Sequence, residues 1–200
     1  MNLPLFFSAR FWVTLADQFL LFVVPLVVYQ VTQSVAWSSL AFAIETIPRV
    51  AYTPFSGIVA DFYSPLKTVR AMMLTRMLLC FAAIGFNFIF VDEATLYILI
   101  ILASLTGLAA AQSFISYEVL LPLVFKNIAF AKIQSWNQSV DKAAIILGPL
   151  LAAFLVEYSQ WQYAIIAAGI IYFIGQVCFS MAVRSYQCEY QSDESKKHKN

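Results

Sequence analysis

Charge is scarce in this sequence. Only 12% of its 200 residues are Asp, Glu, Lys or Arg, against 62% hydrophobic and 16% aromatic, and the mean hydropathy is +0.78. Soluble domains carry roughly 25% charged residues, so a water-soluble globular fold is excluded. The chain is read as an integral membrane protein whose first partner is the lipid bilayer. Histidine is almost missing: the single one, His198, lies in the polar C-terminal stretch and not in an apolar run. With no H-E-x-x-H motif and no His-containing nucleophile pair, an intramembrane hydrolase is excluded and no enzyme activity is expected. The three cysteines, Cys80, Cys178 and Cys188, show no C-x-x-C spacing, and two lie in apolar runs where thiols behave as small hydrophobes. No disulfide, metal or cofactor is therefore expected, and nothing in the charge pattern suggests a nucleic-acid partner. The N-terminus also lacks the charged leader and small-residue cleavage site of a signal peptide, so the first apolar segment is retained as a span.

What is present is a series of long apolar runs. A helix crossing the hydrocarbon core needs about 20 such residues. Cutting the chain where charges, turn residues and interfacial aromatics cluster predicts an all-α membrane protein, a bundle of six transmembrane helices. The spans fall near residues 11–31, 37–60, 71–91, 95–117, 136–156 and 162–183. Short links such as T-Q-S-V-A and E-Y-S-Q-W make consecutive helices antiparallel neighbours. Trp12, Tyr29, Trp37, Tyr97, Tyr117, Trp136, Tyr158 and Trp161 sit near the proposed ends, where amphipathic rings meet headgroups.

Alternate loops divide the basic residues unequally. One side receives Arg10, Lys67, Arg70, Lys126, Lys132, Arg184, Lys196, Lys197 and Lys199; the other receives no Lys or Arg, only Asp92, Glu93 and Glu157. The positive-inside bias then places both termini in the cytoplasm. Residues 184–200, polar and mixed in charge, are expected to form a disordered cytoplasmic tail.

Ionisable residues inside spans are costly and face a bundle interior or water. Here they are Asp17, Glu45, Arg49, Arg76, Asp141 and Lys142. Glu45 and Arg49 stand four apart on the second span, within A-I-E-T-I-P-R-V, on a face shared with Ser38, Ala41, Tyr52 and Ser56. Asp17 shares a face with Thr14 and Arg10 on the first span, and antiparallel neighbours bring Asp17 within reach of Arg49. Asp17, Glu45 and Arg49 are thus the candidates for a proton-coupling site or substrate path, the alternative being an ion pair that only holds helices in register. Arg76, about 9 Å beyond Arg70 at 1.5 Å per residue, is expected to reach headgroups with its long stem. Gln134, Asn137, Gln138 and Asp141 form a polar stripe at helical spacing that either lines a cavity entrance or caps the fifth helix. Ala103, Gly107 and Ala111 permit close helix approach on the fourth span, where Ser113 offers a hydroxyl to a cavity.

After the second span, Gly57-Ile58-Val59-Ala60-Asp61-Phe62-Tyr63-Ser64-Pro65-Leu66-Lys67 resembles the G-x-x-x-D-(R/K)-x-G-(R/K)-(R/K) loop of major facilitator superfamily transporters. Gly57 and Asp61 fall in place and Lys67 supplies a basic residue, while Phe62, Ser64 and Leu66 depart from the pattern. Independently of that likeness, Gly57 offers close helix approach and Pro65 a turn. On the fifth span, Ala144-x-x-x-Gly148-Pro149-x-x-Ala152-Ala153 resembles the G-x-x-x-G-P-x-x-G-G motif of the family's antiporters, with alanine at three glycine positions. The order of these features, with L-V-V-Y-Q-V-T-Q-S after Asp17 and E-V-L-L-P-L-V from Glu118, is similar to the branch of bacterial siderophore exporters, such as the enterobactin exporter, and macrolide efflux proteins.

The resemblance implies a proton-coupled exporter of a siderophore-like or drug-like small molecule in a bacterial inner membrane. It also implies two six-helix halves. The chain spans one, an N-terminal half, and is expected to need a second, from a separate chain or as a homodimer. A non-transporting six-helix scaffold or assembly factor is the competing expectation.

Overall fold

The computed structural model describes residues 2–89, 95–126, 128–158 and 160–197. They form six helices: α1 (Leu3–Thr32), α2 (Val35–Phe62), α3 (Pro65–Ile89), α4 (Thr95–Val124), α5 (Phe130–Tyr158) and α6 (Trp161–Lys197). Five of them are long and apolar enough to cross a membrane. The exception is α2, whose apolar run is diluted by Glu45, Arg49, Pro48, Pro54 and several hydroxylated residues. Its 28 residues still extend ~42 Å at the rise of an α-helix, beyond the ~30 Å hydrocarbon core.

The turns follow from local chemistry. Gln33 closes α1 in the left-handed conformation, φ 51°, with its N–H donating to the Tyr29 carbonyl at 2.8 Å, so α2 begins two residues later. Pro65 opens α3, at a position where a missing N–H costs nothing. Past Val183, where the sequence predicts a disordered tail, α6 continues to Lys197; that stretch contains neither Gly nor Pro to stop it. The expected Asp92–Glu93 link lies outside the described residues.

Helix α1 is the centre of the bundle. Phe6, Ala9, Val13, Ala16, Leu20, Val23 and Val27 recur at helical spacing and are at most 3% exposed. It packs on α5, α6 and α2, while α4 packs on α2 and α3, and α3 also meets α6. The two three-helix units therefore exchange partners in the same pattern: α1 lies on the second and third helices of the other unit, and so does α4. Elements α2 and α3 are adjacent in sequence but barely touch.

Three glycines set the closest approaches. A Cβ on Gly148 would lie 2.6 Å from the Gln18 side chain and 3.0 Å from the α1 backbone. One on Gly107 would meet the Glu45 carbonyl at 2.5 Å, and one on Gly175 would meet Val13 at 2.7 Å. These positions let α5, α2 and α6 press against α1 or α4 at backbone distance.

Candidate functional site

The polar face of α1 is set by spacing: Arg10, Thr14 and Asp17 follow one another by four and three residues and point the same way. Arg10, 5% exposed, grips Asp141 of α5 through two parallel bonds, Nε to Oδ1 and Nη2 to Oδ2, both 2.9 Å. Thr14 Oγ1 donates to the same Oδ1 at 3.0 Å. The guanidinium also lies over two rings of α4, 4.8 Å from the Tyr117 centroid and 5.3 Å from that of Phe114. Tyr117 donates to the Phe6 carbonyl at 3.0 Å, which fixes the ring beneath the charge. Further along α4, Glu118 accepts from Asn137 at 2.9 Å and Gln134 at 3.2 Å, tying α4 to α5.

One turn deeper stands a second charge cluster. Arg76 of α3 donates through Nη1 to both oxygens of Asp17, at 2.7 Å to Oδ2, and through Nη2 to Ser113 of α4 at 2.8 Å. Tyr172 of α6 donates to Asp17 Oδ1 at 2.6 Å, and its ring lies 5.2 Å from the Arg76 guanidinium carbon. Two expectations are corrected here. Asp17 is paired with Arg76 and not Arg49, and Arg76, 0% exposed, does not reach the headgroups. Helix α3 starts at Pro65, so Arg76 lies about 16 Å into it, too deep to snorkel, and the bundle brings α3 and α6 around Asp17. Arg76 and Tyr172 are the members of this cluster that sequence reasoning misses. The signal for Arg76 is its isolation in an apolar run; Tyr172 offers none.

Glu45 and Arg49 do not pair as their spacing suggests. No ion pair within 4 Å joins them among the described residues. Glu45 is 4% exposed and its Oε2 has no hydrogen-bond partner. On the rest of the predicted face Ala41 and Ser56 are buried while Ser38 and Tyr52 are half-buried, and Gln112 of α4 donates to the Ser56 carbonyl at 3.2 Å. Arg49 is half-buried, and its side chain makes no hydrogen bond or ion pair among the described residues.

Arg10, Thr14, Asp17, Arg49, Ser113 and Asp141 line, among others, one cavity of about 100 Å³ between α1, α2, α4 and α5, whereas Glu45, Arg76 and Tyr172 lie behind its walls and do not line it. A second cleft, of about 340 Å³, lies beside it and is lined by Leu21, Phe42, Thr46, Val50, Ala111 and others, with Arg49 and Phe114 common to both. The walls offer charge, hydroxyls and aromatic surface. No group of three or more His, Cys, Asp or Glu side chains gathers to hold a metal among the described residues.

Other predicted residues separate by face. On α5, Ala144, Gly148 and Ala152 are buried toward α1, whereas Pro149 is half-buried and Ala153 is exposed. In the polar stripe, Asn137 and Asp141 point inward but Gln138 is exposed, so it does not line the cavity; one residue of helix rotates a side chain by about 100°. Ser113 reaches the cavity while bound to Arg76. A methyl group on Gly57 would meet nothing within 4 Å, so close approach does not explain that glycine, and Lys67 is exposed. The side chain of Asp61 lies outside the described residues.

Comparison with known proteins adds one match. The family model described as Major Facilitator Superfamily covers residues 6–199. No curated protein matches the chain.

Proposed function

Since the chain belongs to the Major Facilitator Superfamily, whose members are membrane transporters and not enzymes, we propose that it carries a small molecule by alternating access through the α1, α2, α4 and α5 face. The observation that carries this reading is the cavity itself: three charged helices and a hydroxylated fourth converge on one space inside an apolar bundle. Intramembrane charge facing a cavity marks a path more often than a scaffold. Export of a siderophore-like or drug-like compound in a bacterial inner membrane is supported by the order of the sequence features. Proton coupling is supported by Glu45, a buried carboxyl without a partner on one oxygen. Cytoplasmic termini are supported by the one-sided Lys and Arg, and α2 is assigned as the sixth span by its length. The substrate path closes against a second six-helix half, whether in the same chain, a separate one or another copy.

The test is retention of a panel of aromatic drugs and catechol-containing chelators by cells with and without the protein. Lower retention of at least one compound, lost on Arg49→Gln, is the expected result. Unchanged retention across the panel contradicts the reading. A second reading, a non-transporting scaffold, is favoured by the use of Arg10 and Arg76 in interhelical ion pairs. Recovery of a stable, unrelated membrane partner together with unchanged retention selects it.

A further inference from the structure

Where the C-terminal end of α4 meets the start of α5, outside the cavity, three side chains are held together without satisfying one another. Gln134 and Asn137, three apart, share a face of α5. Both turn their N–H groups to Glu118 of α4, Gln134 to Oε2 at 3.2 Å and Asn137 to Oε1 at 2.9 Å. Their own carbonyl oxygens, Gln134 Oε1 and Asn137 Oδ1, are buried without a hydrogen-bond partner, and Asn137 is 0% exposed. Buried acceptors are normally satisfied, so two in one cluster call for a donor or a cation that the helices do not supply. Pro122 adds to the deficit, since it has no N–H to give the Glu118 carbonyl one turn back. The charge of Glu118 is not cancelled either. Arg10, near enough to feel it, is bound to Asp141, Lys132 lies over the Trp136 ring, and no ion pair reaches Glu118 among the described residues.

We propose that Glu118, Gln134 and Asn137 form a binding site for a monovalent cation of sodium size, which clamps α4 to α5 at this end of the bundle. Turning each side-chain amide over exchanges its nitrogen for its oxygen at nearly the same position. The two amide oxygens then face the two carboxylate oxygens across the 2.9 and 3.2 Å now spanned by hydrogen bonds. Four oxygens at that spacing repel one another unless a cation stands among them. Around a cation with oxygens at about 2.4 Å, neighbouring ligands lie about 2.8–3.4 Å apart, according to whether six or seven share the shell. The present spacing therefore suits sodium, and water completes the shell because Glu118 and Gln134 are only half-buried. Charge selects the valence. With Arg10 and Asp141 cancelling, one carboxylate remains, which a monovalent ion neutralises; a divalent ion would leave excess positive charge beside Arg10 in a medium of low dielectric.

The experiment follows thermal unfolding of the full chain, purified into phosphatidylcholine vesicles, in NaCl, KCl or choline chloride at one ionic strength, with isothermal titration by NaCl beside it. Sodium is expected to raise the unfolding temperature by about 3–6 °C over choline at a tenfold excess above its Kd, with a saturable heat of binding and a smaller shift in KCl. Glu118→Gln, which removes the charge and keeps an acceptor for the amides, should unfold at one temperature in all three salts and give no heat with NaCl. Asn137→Asp supplies a second carboxylate and should gain more from CaCl2 than from NaCl. Equal unfolding temperatures of the parent in NaCl and choline chloride, the result for a bridging water, overturn the proposal. So do equal shifts in KCl and NaCl, or a sodium effect that survives Glu118→Gln. An Asn137→Asp protein that gains nothing from CaCl2 overturns it as well, which keeps the test decisive should Glu118→Gln fail to fold. Neither readout involves a transported molecule, so the result stands apart from the retention assay.

Discussion

Removing one member of the Asp17–Arg76 pair should damage this bundle more than removing both. Arg76 is fully buried and donates to both Asp17 oxygens and to Ser113, and Tyr172 closes the fourth contact. In Arg76→Met the aspartate loses its counter-charge and keeps only the tyrosine hydroxyl. Breaking a buried pair from one side costs about 3–5 kcal/mol, because the remaining charge is stranded in an apolar medium. The Ser113 hydroxyl adds about 1 kcal/mol for its lost partner. In Asp17→Asn/Arg76→Met no charge is stranded, so the double variant should lie within ~2 kcal/mol of the parent, with a coupling of at least ~3 kcal/mol. Tyr172→Phe removes a single bond to a charged acceptor and should cost about 1.5–3 kcal/mol. Unfolding in mixed micelles by a denaturing detergent, followed by loss of helical circular dichroism, gives all four numbers. Additive single variants, or a cost for Arg76→Met below ~1 kcal/mol as at exposed ion pairs, would refute the argument that this pair is a desolvated, interhelical lock.

Gly148→Ala should force α1 and α5 apart and cost about 1–3 kcal/mol, whereas Gly57→Ala, with open space around it, should change stability by no more than about 0.5 kcal/mol; the same unfolding assay compares them. Arg10→Lys keeps the charge but loses the two-pronged grip on Asp141 and the stacking on Tyr117 and Phe114, so it should behave nearer to Arg10→Gln than to the parent in thermal unfolding. For topology, single cysteines in place of Lys67 and Ser34 in a cysteine-free background should react with an impermeant maleimide from opposite sides, Lys67 from the cytoplasm. Labelling of both from one side contradicts the assigned direction.

Sequence and structure agree where the cause is local. Helix ends are legible at the short links T-Q-S-V-A and E-Y-S-Q-W, and the inward face of α2 from the spacing of Ala41, Glu45 and Ser56. So is the buried edge of α5 at Ala144, Gly148 and Ala152. What depends on which helices meet is not legible. Treating α1 and α2 as the main neighbours directs Asp17 toward Arg49, but α1 lies mostly on α5 and α6 and its aspartate faces α3 and α6. Measuring the depth of Arg76 from Arg70 gives it a shallow position, when the helix begins at Pro65. Tyr172, in an apolar run, carries no pattern that separates a ring packed in a core from one that donates to a buried carboxylate.

A transporter differs from a scaffold in that the α1, α2, α4 and α5 cavity opens in turn to the two sides of the membrane. A single cysteine replacing Thr14, whose side chain lines that cavity, tests this when Cys80, Cys178 and Cys188 are changed to serine. In intact cells and in inverted vesicles, reaction with an impermeant maleimide is expected from both sides. Reaction from one side alone would contradict alternating access.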